Sequence, residues 1–245
     1  MLAKAAELDA DELVVDLEDG VAPADKERAR ANLRLARARG TLAVRINKGS
    51  LADLEAASAV ADVIVLPKVD SPDDVAAIAA HTDLPLEAQI ETALGLVHVE
   101  ATAQAPQLEA LVFGPGDFAA SLGVPVLTIG AGAAEYAMAR IAVAARAFGL
   151  QPVDGPHASL DDPAALRLGA ERALALGYDG KWAIHPSQLA TLHEVFTPSA
   201  EEIERARRIL ATAGAVRLDG EMVDEATKKL AAGVLARAGG HDEPR

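Results

Sequence analysis

Charged side chains stand at or just after the ends of six apolar, strand-like runs in this chain of 245 residues. A barrel of parallel strands gathers such residues at one end, because all of its strands finish there. The residues concerned are Asp16, Glu18, Asp19, Arg45, Lys68, Glu91, Asp117 and His185. Five carboxylates brought together repel one another unless a cation lies among them. Since these ligands are all oxygens, the pattern predicts a Mg²⁺-dependent enzyme with one arginine for an anionic substrate.

Seven apolar runs alternate with longer, alanine-rich segments of helical composition. The runs are residues 12–17, 41–46, 62–67, 84–90, 109–114, 149–154 and 181–185. Near-continuous apolar strands are typical of a parallel sheet covered on both faces, and the spacing favours repeated βα units. We therefore interpret the chain as an α/β protein, a TIM (β/α)₈-type barrel whose first strand is missing. An open, doubly wound sheet of seven strands is the alternative.

The alternation of strand and helix stops near residue 196. Two further helices are predicted over 199–213 and 221–238, joined by a polar turn, while a helix over 2–8 opens the chain. Residues 1–196 are thus expected to form the barrel, and residues 197–245 a C-terminal helical extension that acts as a lid.

Composition excludes several classes of protein. With 23 Lys and Arg against 37 Asp and Glu, the net charge is −14, which disfavours binding to nucleic acid. The absence of cysteine excludes disulfide scaffolds, thiolate metal sites and cysteine nucleophiles. Apolar runs are too short to span a membrane, and the first residues are too polar for a signal peptide. We expect a cytoplasmic protein without a membrane partner.

The motifs are more specific than the composition. In chain order they read DLEDGVAPADKERAR, VRIN, VLPKVDSPDDV, IETALGLVH, FGPGDFAASLG and GYDGKWAIHPSQ, followed by FTPSAEEIERARRIL and GEMVD. This order resembles the citrate lyase β-subunit-like family, a group of Mg²⁺-dependent barrel lyases that includes malyl-CoA and citramalyl-CoA lyases. The resemblance covers essentially the whole chain. Family members usually begin with a strand of the form R-S-x-L-F-V-P, which is absent here.

The resemblance implies an enzyme that uses Mg²⁺, with Mn²⁺ as the alternative metal, to cleave a citryl-, malyl- or citramalyl-type 3-hydroxyacyl-CoA into an acyl-CoA and a 2-oxoacid. By motif position, Glu91 and Asp117 resemble the metal ligands, and Glu18 and Asp19 resemble the residues that hold metal-bound waters. Arg45 resembles the residue that contacts the acyl oxygen or carboxylate of the substrate.

Two further features come from the resemblance alone. The amides of Gly116 and Asp117 would hold the 2-oxoacid carboxylate. Asp224 resembles a proton-transfer residue that relatives supply from an adjacent subunit, which implies a homotrimer or a dimer of trimers. The segment 155–162 departs from the family pattern, so contacts to CoA there are not implied.

Structural interpretations of the same residues stay open at this point. Glu18 and Asp19 suit a helix N-terminus, Arg45 a salt bridge, Glu91 and Asp117 helix caps, Asp224 a helix start and His185 a position on the barrel rim. Residues 129–135 also resemble a dinucleotide-binding loop, but Glu135 stands where a third glycine is needed. A malyl-CoA thioesterase, a 2-oxoacid aldolase and an inactive or structural subunit are the alternative functions.

Overall fold

The computed structural model describes residues 5–124 and 132–239 and contains one parallel sheet of seven strands. The strands are β1 (Glu12–Asp16), β2 (Thr41–Arg45), β3 (Val63–Leu66), β4 (Leu86–Ile90), β5 (Leu108–Phe113), β6 (Gln151–Asp154) and β7 (Gly180–Lys181). Each strand pairs with the next one along the chain. A doubly wound sheet reverses its strand order, so this order confirms the barrel-type fold and excludes that alternative.

Helices follow the strands as the βα pattern predicts. Those of the first compact unit are α1 (Lys26–Asn32), α2 (Leu51–Ser58), α3 (Pro72–Ala79), α4 (Ala93–Val97), α5 (Val99–Thr102), α6 (Pro115–Ser121), α7 (Gly132–Ala147), α8 (Pro163–Ala175) and α9 (Leu189–Phe196), which runs across the unit boundary. Among the described residues, no helix is both long and apolar enough to cross a membrane. Residues 2–4 of the predicted opening helix, and residues 129–131 of the loop that resembles a dinucleotide site, lie outside the described residues.

The sheet curls, and one contact demonstrates the curl. Ala43 of β2 and Val63 and Val65 of β3 form a buried cluster against which Trp182 packs. Trp182 directly follows β7, at the opposite end of the strand order, so it reaches this cluster across the concave face of the sheet. The concave face is therefore filled by side chains, as in a closed barrel.

The seventh strand is shorter than the sequence predicts. Pairing with β6 covers only Gly180 and Lys181, and Trp182 adds one backbone hydrogen bond to the carbonyl of Asp154 at 2.9 Å. The expected strand over 181–185 was wrong after its first residue, because the strand ends at Lys181. His185 instead caps a 3₁₀ turn that begins at Pro186, and a proline cannot donate to a strand ladder.

Residues 193–239 form a second compact unit. It contains α10 (Ala200–Leu210), a hairpin of β8 (Val216–Leu218) and β9 (Glu221–Val223), and α11 (Glu225–Gly239). The predicted helix over 221–238 was wrong at its start, because residues 221–223 form a strand. Asp219 and Gly220 both have positive φ, 51° and 90°, as a two-residue hairpin turn requires. The Asp-Gly pair was the signal for this turn.

A buried acidic pair lies toward the N-terminal ends of the strands. Glu12 of β1 and Glu87 of β4 hydrogen-bond each other across the concave face, which requires that they share a proton. Glu87 is 7% exposed, and its Oε2 has no hydrogen-bond partner among the described residues. Burial and the neighbouring charge of Glu12 raise the pKa of Glu87 to about 9.

This pair makes a prediction about stability and pH. The proton on Glu87 stabilises the folded state fully below the ordinary pKa of 4.5, and this contribution is lost as pH rises toward 9. We expect Glu87→Gln to raise the free energy of unfolding at pH 8 by roughly 1–3 kcal/mol and to flatten its decline between pH 5 and 9. Thermal and urea unfolding at several pH values measure this. Glu109→Gln, at an exposed neighbouring carboxylate, is the control with a smaller effect. Equal destabilisation of Glu87→Gln at every pH would contradict the interpretation.

Candidate active site

The C-terminal ends of β1 to β5 form the rim, where the sequence places most of the candidate residues. Arg45, the last residue of β2, donates from Nε to Asp16 Oδ1 at 2.9 Å and from Nη2 to Asp16 Oδ2 at 2.7 Å. Asp16 also accepts the backbone N–H groups of Glu18 and Gly20, both at 2.8 Å. Gly20 is required, because a Cβ there would lie 2.5 Å from Asp16 Oδ2. The guanidinium of Arg45 is thus held in one fixed plane.

Electrostatics keep this pair ionised. Burial raises the pKa of Asp16, but the hydrogen bonds and charge of Arg45 outweigh it and hold the pKa below the usual value. The third nitrogen of the guanidinium, Nη1, lies 3.4 Å from Glu18 Oε2 and 3.3 Å from Gln89 Oε1. Trp182 lies under the guanidinium, with its ring centroid 5.8 Å from Cζ, which adds a cation–π contact. Arg45 therefore does form the salt bridge that the structural interpretation expected. Its Nη1 edge, in addition, faces the rim.

Lys68 stands between Glu18 and Asp19. Its ammonium hydrogen-bonds Glu18 Oε1 and lies 2.8 Å from Asp19 Oδ2. The same ammonium is 3.9 Å from Asp117 Oδ2. Three carboxylates, two from the loop after β1 and one from the first turn of α6, thus surround one lysine that follows β3. We refer to Glu18, Asp19, Glu91 and Asp117 as the rim carboxylates.

Glu91 is the most deeply buried of the rim carboxylates. It is 3% exposed, and its Oε1 accepts the backbone N–H of Lys68 at 2.7 Å. Gly114 makes this placement possible, because a Cβ there would lie 2.3 Å from Glu91 Oε2. Burial, together with the negative charges of Asp117 and Glu18, raises the pKa of Glu91 to about 7. Such a raised pKa is typical of a functional site rather than of a helix cap.

Neither Glu91 nor Asp117 caps a helix. Thr92 caps α4 by accepting the N–H of Gly95 at 2.9 Å, and Gly114 is the N-cap of α6. Asp117 lies in the first turn of α6 with a side chain that is 45% exposed. Gly116 lies in the same turn, where helical N–H groups have no partner within the helix. The amides of Gly116 and Asp117 therefore belong to a turn that can donate to an anion.

Asp224 belongs to the second unit, whereas the rim residues belong to the first. It directly precedes α11, and its Oδ1 accepts the backbone N–H and the hydroxyl of Thr227, both at 3.0 Å. These hydrogen bonds lower the pKa of Asp224, so the exposed carboxylate is ionised at neutral pH. Within one chain, then, Asp224 is a helix cap; its catalytic role stays a prediction.

Comparison with known proteins decides the family. The family model HpcH/HpaI aldolase/citrate lyase matches residues 1–186, well over half of the chain. The chain belongs to this family. An L-malyl-CoA/beta-methylmalyl-CoA lyase of Cereibacter sphaeroides is 38% identical, over 90% of this chain and 82% of the relative. A (3S)-malyl-CoA thioesterase of the same species is also 38% identical, over 97% of this chain and 90% of the relative.

A solved structure of the HpcH/HpaI family agrees with the fold. CitE from Mycobacterium tuberculosis, in complex with magnesium, acetoacetate and coenzyme A, has a TM-score of 0.84 and 35% identity. The superposition covers 97% of this chain and 92% of CitE. The resemblance stated from the motifs is thereby confirmed.

The candidate site of this HpcH/HpaI family chain contains two residues that the sequence places at strand ends but to which it gave no role. Asp16 fixes Arg45, and Lys68 contacts three rim carboxylates. Both stand at strand ends in the sequence, as Arg45 does, so a signal was present. Their roles became visible only with the pairing of side chains from different strands.

Proposed function

We propose that the chain is a Mg²⁺-dependent carbon–carbon lyase that cleaves a malyl-CoA-type 3-hydroxyacyl-CoA into an acyl-CoA and a 2-oxoacid. The observation that carries this proposal is the buried Glu91, whose pKa is raised by burial and by the charge of Asp117, on a rim that also presents Arg45. A C–C lyase needs these two functions together: oxygen ligands for a divalent cation and a fixed cation for the oxyanion that forms.

The residues present fit a divalent cation. Glu91 and Asp117 offer only oxygen donors, which Mg²⁺ and Mn²⁺ prefer. In the part of the chain that the structure describes, no group of three or more His, Cys, Asp or Glu side chains could hold a metal. Two protein ligands are therefore proposed, with water or substrate oxygens in the other positions. When bound, Mg²⁺ supplies Lewis acidity that lowers the pKa of the substrate hydroxyl and polarises the forming carbonyl.

The protein's own residues carry out the rest of the proposed reaction. The amides of Gly116 and Asp117 hold the carboxylate of the 2-oxoacid part, and the Nη1 edge of Arg45, which faces Glu18 and Gln89, neutralises the thioester enolate oxygen. Asp224 of an adjacent subunit takes the hydroxyl proton as the C–C bond breaks. The protonated carboxyl of Asp224 then donates this proton to the enolate carbon, and the acyl-CoA is released.

A substitution at Arg45 can separate the contribution of its positive charge from that of its planar hydrogen-bonding geometry. We expect Arg45→Lys to lower kcat/KM at least about tenfold, because lysine keeps the charge but not the planar, two-sided hydrogen bonding. Arg30→Lys is the matched control: Arg30 pairs with the buried Asp53, which is not one of the rim carboxylates, through one nitrogen at 2.8 Å. Steady-state kinetics with malyl-CoA and Mg²⁺ measure both variants. Unchanged kinetics in Arg45→Lys would exclude the proposed role.

A thioesterase is the second candidate, since one 38% identical relative is a (3S)-malyl-CoA thioesterase. Product analysis separates the two. Incubation with malyl-, citramalyl- and citryl-CoA gives an acyl-CoA and a 2-oxoacid from a lyase, but free CoA and a hydroxyacid from a thioesterase. We expect the lyase products, and free CoA as the main product would replace this proposal by the second. Turnover of free 2-oxoacids alone would indicate the aldolase.

The assembly belongs to the same proposal. A homotrimer, or a dimer of trimers, brings Asp224 of one subunit to the rim of the next. The position of Asp224 in a separate compact unit supports this arrangement. Location in the cytoplasm stays a prediction from the sequence.

A further inference from the structure

Lys68 has an unusual backbone as well as an unusual side chain. Its φ is 50°, in the left-handed region that residues other than glycine rarely adopt. The conformation is held from both sides: Lys48 Nζ donates to the carbonyl of Lys68 at 2.6 Å, and Val69 N donates to the carbonyl of Gln89 at 3.1 Å. Strain of this kind persists where surrounding contacts maintain it, and it clusters at functional sites.

This backbone lets one residue reach all four rim carboxylates. The N–H of Lys68 points at Glu91 Oε1, at 2.7 Å, while its ammonium contacts Glu18 and Asp19 and faces Asp117 at 3.9 Å. A lysine ammonium, which is charged at neutral pH, thus lies 3.9 Å from one proposed metal ligand, Asp117, while the backbone of the same residue binds the other, Glu91.

Arg45 cannot take over this task. Two of its nitrogens are bound to Asp16, and its remaining contact to the rim carboxylates is the 3.4 Å approach of Nη1 to Glu18. The charge on Asp19 and Asp117 is thus balanced mainly from the Lys68 side. Removing this charge leaves these carboxylates repelling one another at short range.

We infer that Lys68 is a positioning residue that serves as the built-in counter-ion of the rim carboxylates: it keeps them together without a metal and lowers their affinity for a divalent cation. The inference rests on the proposed function, which places the metal at Glu91 and Asp117. A fixed positive charge close to that position repels Mg²⁺, while the same charge stabilises the metal-free protein. Because of Lys68, the protein folds stably without the metal. Because the same charge weakens binding of the metal, the metal can exchange.

The test compares Lys68→Met, which removes the charge, with Lys68→Arg, which keeps it. In Lys68→Met we expect Mg²⁺ and Mn²⁺ to bind at least about fivefold more tightly by calorimetry, because like charges a few ångströms apart in a partly buried site repel strongly. In chelator its Tm is expected below that of the wild type, and Mg²⁺ is expected to restore it. Lys68→Arg is expected to bind Mg²⁺ within about threefold of the wild type. The Lys68 side chain is 31% exposed, so the difference between wild type and Lys68→Met should shrink at high salt.

The outcomes separate this inference from the proposed function. A merely structural lysine would lower Tm with and without Mg²⁺ and would not tighten metal binding, and that result overturns the inference. The inference is also overturned if Lys68→Arg, which keeps the charge, binds Mg²⁺ at least about fivefold more tightly than the wild type. This second criterion applies even if Lys68→Met fails to fold. Equal Mg²⁺ affinities in all variants, with lyase products still formed, overturn the role of Lys68 alone. Absence of Mg²⁺ and Mn²⁺ binding in every variant, wild type included, overturns both.

Discussion

Glu91→Gln is expected to lower kcat/KM at least about 10³-fold, since a catalytic metal supplies several kcal/mol of transition-state stabilisation. Asp117→Asn is expected to lower kcat/KM by a similar factor. The fold should survive the first change, because burial already raises the pKa of Glu91 to about 7 and a neutral amide costs no more at this position. We expect the Tm of Glu91→Gln at pH 8 to equal or exceed that of the wild type. Calorimetric Mg²⁺ titration and thermal unfolding measure the two effects.

Asp70→Asn is the matched control for these variants. Asp70 is another carboxylate near the rim, paired with Lys48 at 2.6 Å and bound by the hydroxyl of Thr92 at 2.5 Å. It touches none of the rim carboxylates in these contacts, so its loss should change kcat/KM by less than about threefold, as expected for a partly exposed ion pair. Undiminished Mg²⁺ affinity in both Glu91→Gln and Asp117→Asn would show that the metal ligands lie elsewhere.

Asp224→Asn is expected to reduce kcat by roughly 10²–10⁴-fold, the range over which a positioned proton-transfer group contributes. Stability should not change, because asparagine caps helices as well as aspartate and can still accept from Thr227. Mg²⁺ binding should also persist. Kinetics, thermal unfolding and calorimetry on the one variant therefore separate a catalytic role from the capping role that the structure of a single chain contains.

Complementation tests whether Asp224 acts on a neighbouring subunit. Asp224→Asn and Glu91→Gln proteins, each inactive alone, are unfolded together and refolded to form mixed assemblies. Some interfaces then combine an intact rim with an intact Asp224, so partial activity should return. A fully active monomer, by sedimentation or light scattering, would refute both the shared site and the trimer.

Much of the fold follows from the sequence. Strands buried on both faces must be continuously apolar, and this made all seven recognisable; the absence of a reversal in their order favoured the barrel. The hairpin of β8 and β9 was missed because the helical composition after residue 221 outweighed the Asp219-Gly220 turn signal. The apolar pattern predicted a longer β7. The strand is short because a turn begins at Pro186 and His185 caps that turn, and these local effects are not part of the apolar pattern.

The candidate site was predictable in membership but less so in pairing. Arg45, Glu91 and Asp117 stand at strand ends, and parallel strands bring such ends together whatever the side chains do. Which cation meets which carboxylate depends on the curl of the sheet and on backbone conformation, as the positive φ of Lys68 illustrates. Asp16 and Lys68 could not be assigned before these were known.

The pairing of Asp16 with Arg45 has a geometric consequence. Both oxygens of Asp16 are engaged by the guanidinium and by the N–H groups of Glu18 and Gly20, so the plane of Arg45 cannot turn. An anion can then approach only along the Nη1 edge, from one direction. In the proposed lyase, Asp16 would thus set the direction from which an anionic substrate meets Arg45, without itself touching the substrate.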